Sequence, residues 1–359
     1  MKISLSAADV ARVSRLEDTR RRNFRFAELM STYLNLFPDF VKEEYVSELL
    51  SFSSPEEAFC AALTVALGLN TDNEDDRIII RKYLPASVKC LDSLYYRLNP
   101  YYQNISFPDV SKKDWEIKTM SLAPWEGFVY NDPVLLADFT EIPRIGFFRE
   151  RFSFPAVLQK GREWMTLMPN ETATLENAVK NSFGNVVTYG LGLGYFAYRA
   201  SCKENVKSVT VVERDKNVIK LFTDHILPLF PCKDKITVIE ADAFHHAEKE
   251  LKKGSFDYAL ADIWHDAGDG TLLYLRFRDI ASKTPDIKWD FWLEETIIAY
   301  LRWPVFSEIY RMVKNGVDSA LFSDIEIKSF ADIQNILSYD FLRSHVYEIG
   351  EFFNIMEEA

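Results

Sequence analysis

The chain has 359 residues, 48% of them hydrophobic and 14% aromatic, which predicts packed cores and more than one globular unit. A net charge of -12 and a pI near 5.1 work against attraction to nucleic acid, whose binding rests on neutralised phosphates. No stretch approaches the ~20 apolar residues of a membrane span, the first residues lack the apolar core of a signal peptide, and Cys60, Cys90, Cys202 and Cys232 show neither zinc nor disulfide spacing. The expectation is a soluble, cytoplasmic chain with no metal site and no membrane partner.

Residues 1–105 read as an N-terminal helical domain. The run "TRRRNFR", Thr19 to Arg25, is read as a solvated helix face. In "SSPEEAFCAALTVALGLN", Ser54 is an N-cap, Pro55 takes the first helical position, Glu57 completes a capping box and Gly68 suits the stop. The flanking segments "FPDFVKEEYVSELLSF" and "PASVKCLDSLYYRLN" carry apolar residues at helical spacing. Residues 106–168, rich in aromatics and broken by Pro155 and Gly161, read as a β-rich connector.

Over residues 169–320 the pattern becomes regular. A helix "NETATLENAVKNSFG" precedes the strands "NVVTYG", "SVTVVE", "ITVIEAD" and "FDYALADIW", which alternate with helices. These strands are continuous in hydrophobicity, as in a parallel sheet covered on both faces, so the fold class is α/β, a doubly wound and mainly parallel sheet. "IKWDFWL" is a candidate fifth strand, "EETIIAYLRWPVFSEIYRMVKNG" a long helix, and residues 321–359 a helical C-terminal extension.

Three glycines, Gly190, Gly192 and Gly194, stand at every second position where the first of these strands turns into a helix, leaving helix-start amides open to a polar ligand. Acidic residues end the next strands at Glu213, Asp242 and Asp262, on the side where ligands of doubly wound sheets bind. Glu213 lies 19 residues after Gly194, where a carboxylate can accept from both hydroxyls of a ribose. It could instead cap the following helix, a role Asp215 could also take. Asp242 can accept from an adenine amine or cap its own helix, and Ala243 keeps the approach open. Asp262 opens "DIWHDAGDG", read as a long loop bearing Trp264, His265 and Asp266.

Those motifs resemble the class I S-adenosylmethionine-dependent methyltransferases. "VVTYGLGLGYF" looks like their glycine-rich first motif, "VTVVERD" their ribose-binding acid, "EADAF" their adenine segment and "FDYALADIW" their fourth-strand motif, over Asn170 to Asp266, roughly a quarter of the chain. The resemblance implies S-adenosylmethionine as cofactor, with Tyr189, Gly190, Leu191, Gly192 and Gly194 at its methionine moiety, Glu213 at the ribose, Asp242 and Ala243 at the adenine, and Arg214 among the other cofactor-binding residues. Asp262, Ile263 and Trp264 would border the methyl group. The family's acid two places before the first glycine is here Thr188, and Glu171, just upstream, is a candidate replacement.

The expected activity is methyl transfer to a small-molecule or protein acceptor, with Asp262, His265 and Asp266 as the catalytic candidates. The fourth-strand segment is neither the N/D-P-P-Y/F/W signature nor a Pro-Cys nucleophile, which lowers the standing of planar amines and pyrimidines as acceptors. Two alternatives stay open: an aminopropyltransferase resembling spermidine synthase, and a non-catalytic regulatory protein that binds S-adenosylmethionine. The family's sheet ends with two antiparallel strands. Here the tail has helical periodicity, so the connector could supply those strands or cover the pocket.

Overall fold

A computed structural model describes residues 1–112 and 114–355; residue 113 of the expected connector and residues 356–359 of the expected extension lie outside the described residues. Its central sheet is wholly parallel, built from β1 (Gly184–Tyr189), β2 (Val206–Glu213), β3 (Ile236–Glu240), β4 (Tyr258–Ala261) and β5 (Lys288–Phe291). The spatial order is β3-β2-β1-β4-β5. Every residue of β4 is buried, as its uninterrupted apolar sequence demands of a strand covered on both sides. Phe196, from helix Tyr195–Ser201, lies against Tyr258 on one face at 6.3 Å between ring centroids. Phe277, from helix Ala267–Lys283, meets Tyr189 on the other at 5.1 Å. The sheet is therefore parallel and covered by helices on both faces, an α/β arrangement compatible with a Rossmann-like fold. After β1 the chain steps outward through β2 and β3, then returns past β1 to form β4, so a crevice opens between the carboxyl ends of β1 and β4.

The candidate fifth strand is present, and it is the sheet's edge: among the described residues no antiparallel strand follows it, and helix Glu294–Asn315 begins at once. The β-rich segment does not complete the sheet. Strand Val88–Cys90 joins Glu141–Phe147 and Phe128–Leu135 in one small sheet, while Val110–Lys112, Trp115–Leu122, Phe152–Gln159 and Arg162–Thr166 form another.

The N-terminal helices do not close a core of their own. Helix Ala7–Leu36 and helix Pro55–Ala66, the latter with the expected Ser54–Glu57 capping box, bury Phe26, Tyr33 and Phe59 against Trp125 and Phe147 of the strand-rich segment. Phe59 stacks on Phe147 with 4.4 Å between centroids. The sequence around Val88 carries apolar residues at helical spacing, yet Val88–Cys90 pairs in parallel with Ile145–Phe147, because tertiary pairing outweighs a weak local helical pattern. In the basic run, Arg20, Arg21 and Arg25 pair with Glu17, Asp18 and Asp76.

The far ends of the described chain are also tied together. The Met1 amine donates to the carbonyls of Ser319 at 2.6 Å and Leu321 at 2.5 Å, and Lys2–Ile3 pairs in parallel with Glu326–Ile327. Helices Tyr339–Ser344 and Val346–Phe352 then pack on helix Glu294–Asn315, and helix Phe330–Ile336 packs on helix Ala7–Leu36. No helix among the described residues is long and apolar enough to cross a membrane.

One side chain joins three of these parts. Arg302, with its side chain 5% exposed, donates from Nε to the Leu337 carbonyl at 3.1 Å and from a terminal nitrogen to Glu141 at 3.0 Å. Removing one partner of such a pair leaves the other charge buried and uncompensated. Arg302→Ala should therefore lower stability by about 3–5 kcal/mol in urea unfolding, and the double change Arg302→Met with Glu141→Leu should recover much of that loss; equal losses in both would show that the pair is not what matters.

Candidate functional site

The crevice is set by how closely three strand ends approach. Gly190 is left-handed at φ +97°, and a Cβ there would run into the backbone carbonyl of Asp262. Gly190 N–H donates to the Val212 carbonyl and Asp262 N–H to the Tyr189 carbonyl, both at 2.9 Å, so the ends of β1, β2 and β4 are locked together. Gly192 is left-handed as well, and the space a Cβ would take holds the thioether of Met165.

Glu213 is turned toward the glycine turn. Its carboxylate accepts from Leu191 N–H at 3.3 Å and from Asp215 N–H at 2.8 Å, and the residue is 8% exposed. Capping of helix Lys216–Leu221 falls to Asp215, which accepts from Asn217 and Val218. Glu213 thus bridges the glycine turn and the start of its helix without capping that helix itself.

Two further carboxyls face the same place. Asp262 follows β4, and Glu171 lies in the first turn of helix Pro169–Asn181. Burial pushes the Asp262 carboxyl up to about 7, and burial together with the nearby charges of Asp262 and Glu163 pushes that of Glu171 up to about 8. Thr188, where the resembled family has an acid, is buried and lines the same small cavity as Asp262.

That cavity is nearly closed. Met165, from strand Arg162–Thr166, accepts a hydrogen bond from Leu193 N–H at 3.1 Å, and the space left beneath it is about 10 Å³, close to the room one water needs. From the N-terminal segment, the Tyr101 hydroxyl donates to the Leu193 carbonyl and Asn99 donates to the Tyr195 hydroxyl at 2.9 Å. The β-rich segment covers the turn, and the segment before it holds the turn from outside. Nothing in the sequence singles out Met165 or Tyr101, each being one apolar residue among many.

Tyr189 reaches the crevice only through its backbone; its side chain is fully buried on the opposite face of the sheet, with the hydroxyl 3.3 Å from His246 Nδ1. Asp242 is exposed and caps helix Ala243–Lys249 through His245 N–H at 2.9 Å, Ala243 is buried, and Arg214 points to solvent. Ile263 is half-buried beside Gly190. Trp264 is 4% exposed and donates to the Trp292 carbonyl at 3.1 Å, so it packs in the core.

The segment "IWHDAGDG" is not a long loop. Asp266 caps helix Ala267–Lys283 by accepting from Gly268 and Asp269, Asp269 returns the bond to Asp266 N–H, and His265 Nδ1 lies 3.1 Å from Asp269. The reason is a capping box, in which two acids three residues apart satisfy helix-start amides reciprocally. His265 and Asp266 are exposed and engaged at this helix start. Among the described residues no group of three or more His, Cys, Asp or Glu could hold a metal ion.

No family model matches the chain, and no curated protein matches it. Among solved structures, one described as an O-methyltransferase from Klebsiella pneumoniae is similar at 19% identity, covering 26% of this chain and 41% of that one, with a TM-score of 0.21. The chain thus spans less than half of that protein's length.

The raised carboxyls have a consequence for stability. A carboxyl whose folded pKa lies above its unfolded one favours the fold most at low pH, and that contribution is lost as pH rises through the folded value. For Glu171 the window runs from its ordinary 4.5 to about 8. Glu171→Gln should flatten the decline of Tm between pH 5 and 9 relative to the unchanged protein; parallel Tm curves would mean that Glu171 titrates normally.

Proposed function

We propose that this chain binds S-adenosylmethionine in the crevice between β1 and β4 and transfers its methyl group to a small-molecule or protein acceptor. The observation that carries this reading is Glu213, held at the end of β2 with its carboxylate on the amide of the glycine turn. The donor set suits the cofactor: a carboxylate for a ribose diol, and two acids, Asp262 and Glu171, beside a ligand that carries an ammonium and a sulfonium. Glu171 supplies the acid that Thr188 lacks. Asp242 and Ala243, at the end of β3, are the candidates for the adenine.

Room is the condition. Met165 has to leave the turn, and a methionine side chain with three rotatable bonds can do so without moving the backbone. When bound, the cofactor supplies a methyl group already activated on a sulfonium. The protein then needs to align an acceptor and, where that acceptor is protonated, to take its proton. Asp262, with its carboxyl near neutrality, is matched to that task. His265 and Asp266 serve the helix start in this reading and stand outside the proton transfer.

One observation favours a second reading. The acids that welcome a cationic ligand also repel the cofactor's own carboxylate, and decarboxylated S-adenosylmethionine, the donor for aminopropyl transfer, has none. Direct comparison of the two ligands decides between them.

Calorimetric titration should show binding of S-adenosylmethionine and S-adenosylhomocysteine. No heat from either removes the cofactor reading, and preference for the decarboxylated ligand moves it to aminopropyl transfer. Glu213→Ala should weaken binding about tenfold or more, because charge-assisted hydrogen bonds are lost. Met165→Ala should strengthen it severalfold by removing a group that the ligand must displace. Affinity for S-adenosylmethionine should rise between pH 6 and 9 as Asp262 and Glu171 ionise, and rise less for S-adenosylhomocysteine, which lacks the sulfonium charge; equal slopes would remove these acids from the cation's neighbourhood.

A further inference from the structure

A second cavity, of about 650 Å³, lies between strand Phe128–Leu135, helix Pro169–Asn181 and the exit of β5. That is the size of a small-molecule site. Among the described residues β5 has no neighbouring strand on its outer side, and the cavity lies open between it and strand Phe128–Leu135.

Its walls are of two kinds. Leu135, Leu175 and Trp292 are among its apolar lining, while Asp132, Asp290, Glu295 and Arg144 are charged lining residues, with Arg144 near enough to Asp132 to act on its charge. Glu294, also at the rim, is already matched by Arg343 at 2.9 Å and by the hydroxyls of Tyr274 and Tyr339. Asp132 accepts from Thr296 through Oδ1 at 2.8 Å, and Asp290 accepts from Asn181 and Tyr258 through Oδ2 at 2.9 and 2.7 Å. Among the described residues, Asp132 Oδ2 and Asp290 Oδ1 accept no hydrogen bond. Burial holds the Asp132 carboxyl above its ordinary range in spite of Arg144, so a cation placed there would relieve a real cost.

The cavity is separate from the glycine-turn crevice. Helix Pro169–Asn181 stands between them, and the indole nitrogen of Trp292 donates to Thr174 at 2.9 Å, fixing the partition. We propose that this cavity binds a small aliphatic diammonium compound, its hydrocarbon stem along Leu135 and Trp292 and its ammonium groups on Asp132 and Asp290. An ammonium carries three donors and no acceptor, which suits free carboxylate oxygens and leaves none of its own atoms unpaired. This does not depend on the cofactor reading.

Calorimetry on the full chain at 150 mM salt, with 1,6-diaminohexane as probe, tests it. Expected is one diamine per chain, with 1,6-hexanediol, of the same length but uncharged, at least about tenfold weaker, since charge-assisted hydrogen bonds are the stronger ones. Asp132→Asn and Glu295→Gln should each weaken the diamine severalfold; Glu295 is exposed and makes no hydrogen bond or ion pair among the described residues, so its variant keeps the test open if the first fails to fold. Asn177→Trp, at an exposed position on the wall, should block binding. Saturating S-adenosylhomocysteine should not displace the diamine. Equal binding of diol and diamine, wild-type affinity in both acid variants, or displacement by S-adenosylhomocysteine would each overturn the proposal.

Discussion

The close approach of Gly190 to the carbonyl of Asp262 is the contact on which the rest of the site depends. Any side chain at Gly190 would push β1 and β4 apart at their carboxyl ends, and these are the strands between which the order of the sheet reverses. With them locked, Val212 at the end of β2 is drawn in through the Gly190 amide, and Glu213, the next residue, is carried onto the turn. Asp262 leaves β4 at the same level. The positions of the two acids follow from backbone hydrogen bonds, so they are held far more firmly than flexible side chains on loops would be.

The glycine turn is also a joint between parts of the chain. Met165 reaches it from the small four-stranded sheet and Tyr101 from the N-terminal segment, so the elements before residue 169 act on the crevice directly. Their contacts differ in kind. The Tyr101 hydroxyl meets a backbone carbonyl and its ring is fully buried among Tyr195, Tyr198 and Phe230, which makes it a fixed support. Met165 is only half-buried and offers a weakly accepting sulfur, which makes it the easier of the two to displace. A rigid floor and a soft cover suit a site that has to open for its ligand.

The parallel sheet was legible because strands buried on both faces have no polar alternation, and their apolar runs in "NVVTYG" and "FDYALAD" report that burial directly. The Ser54–Glu57 capping box was legible for the same kind of reason, its bonds being local. Where the reading failed, the deciding partner lay far away in the chain. Val88 to Cys90 become a strand only because Ile145 to Phe147 run beside them, and the Tyr189 side chain is assigned to its face by helices more than fifty residues on. "HDAGD" was a different failure. Its acids looked like site chemistry, while the Asp266–Asp269 spacing is that of a capping box and could have been recognised as one. Met165 and the large cavity left no sequence signal, since both arise from how the small sheets fold back over the helix Pro169–Asn181.

That helix links the two cavities by its periodicity. Glu171 lies toward the glycine turn, Thr174, Asn177 and Asn181 line the large cavity, and Leu175 lines both. Such a wall is useful only if it stays in place, and both of its ends are fixed. Pro169 starts it at the first helical position, and the Lys203 ammonium donates to the carbonyls of Val179 at 2.7 Å, Lys180 at 2.8 Å and Ser182 at 2.6 Å, answering acceptors that a helix end leaves unpaired. Lys203 itself follows directly on the helix that the glycine turn begins. The turn therefore builds one wall of its own crevice and, through Lys203, pins the partition that divides that crevice from the larger cavity.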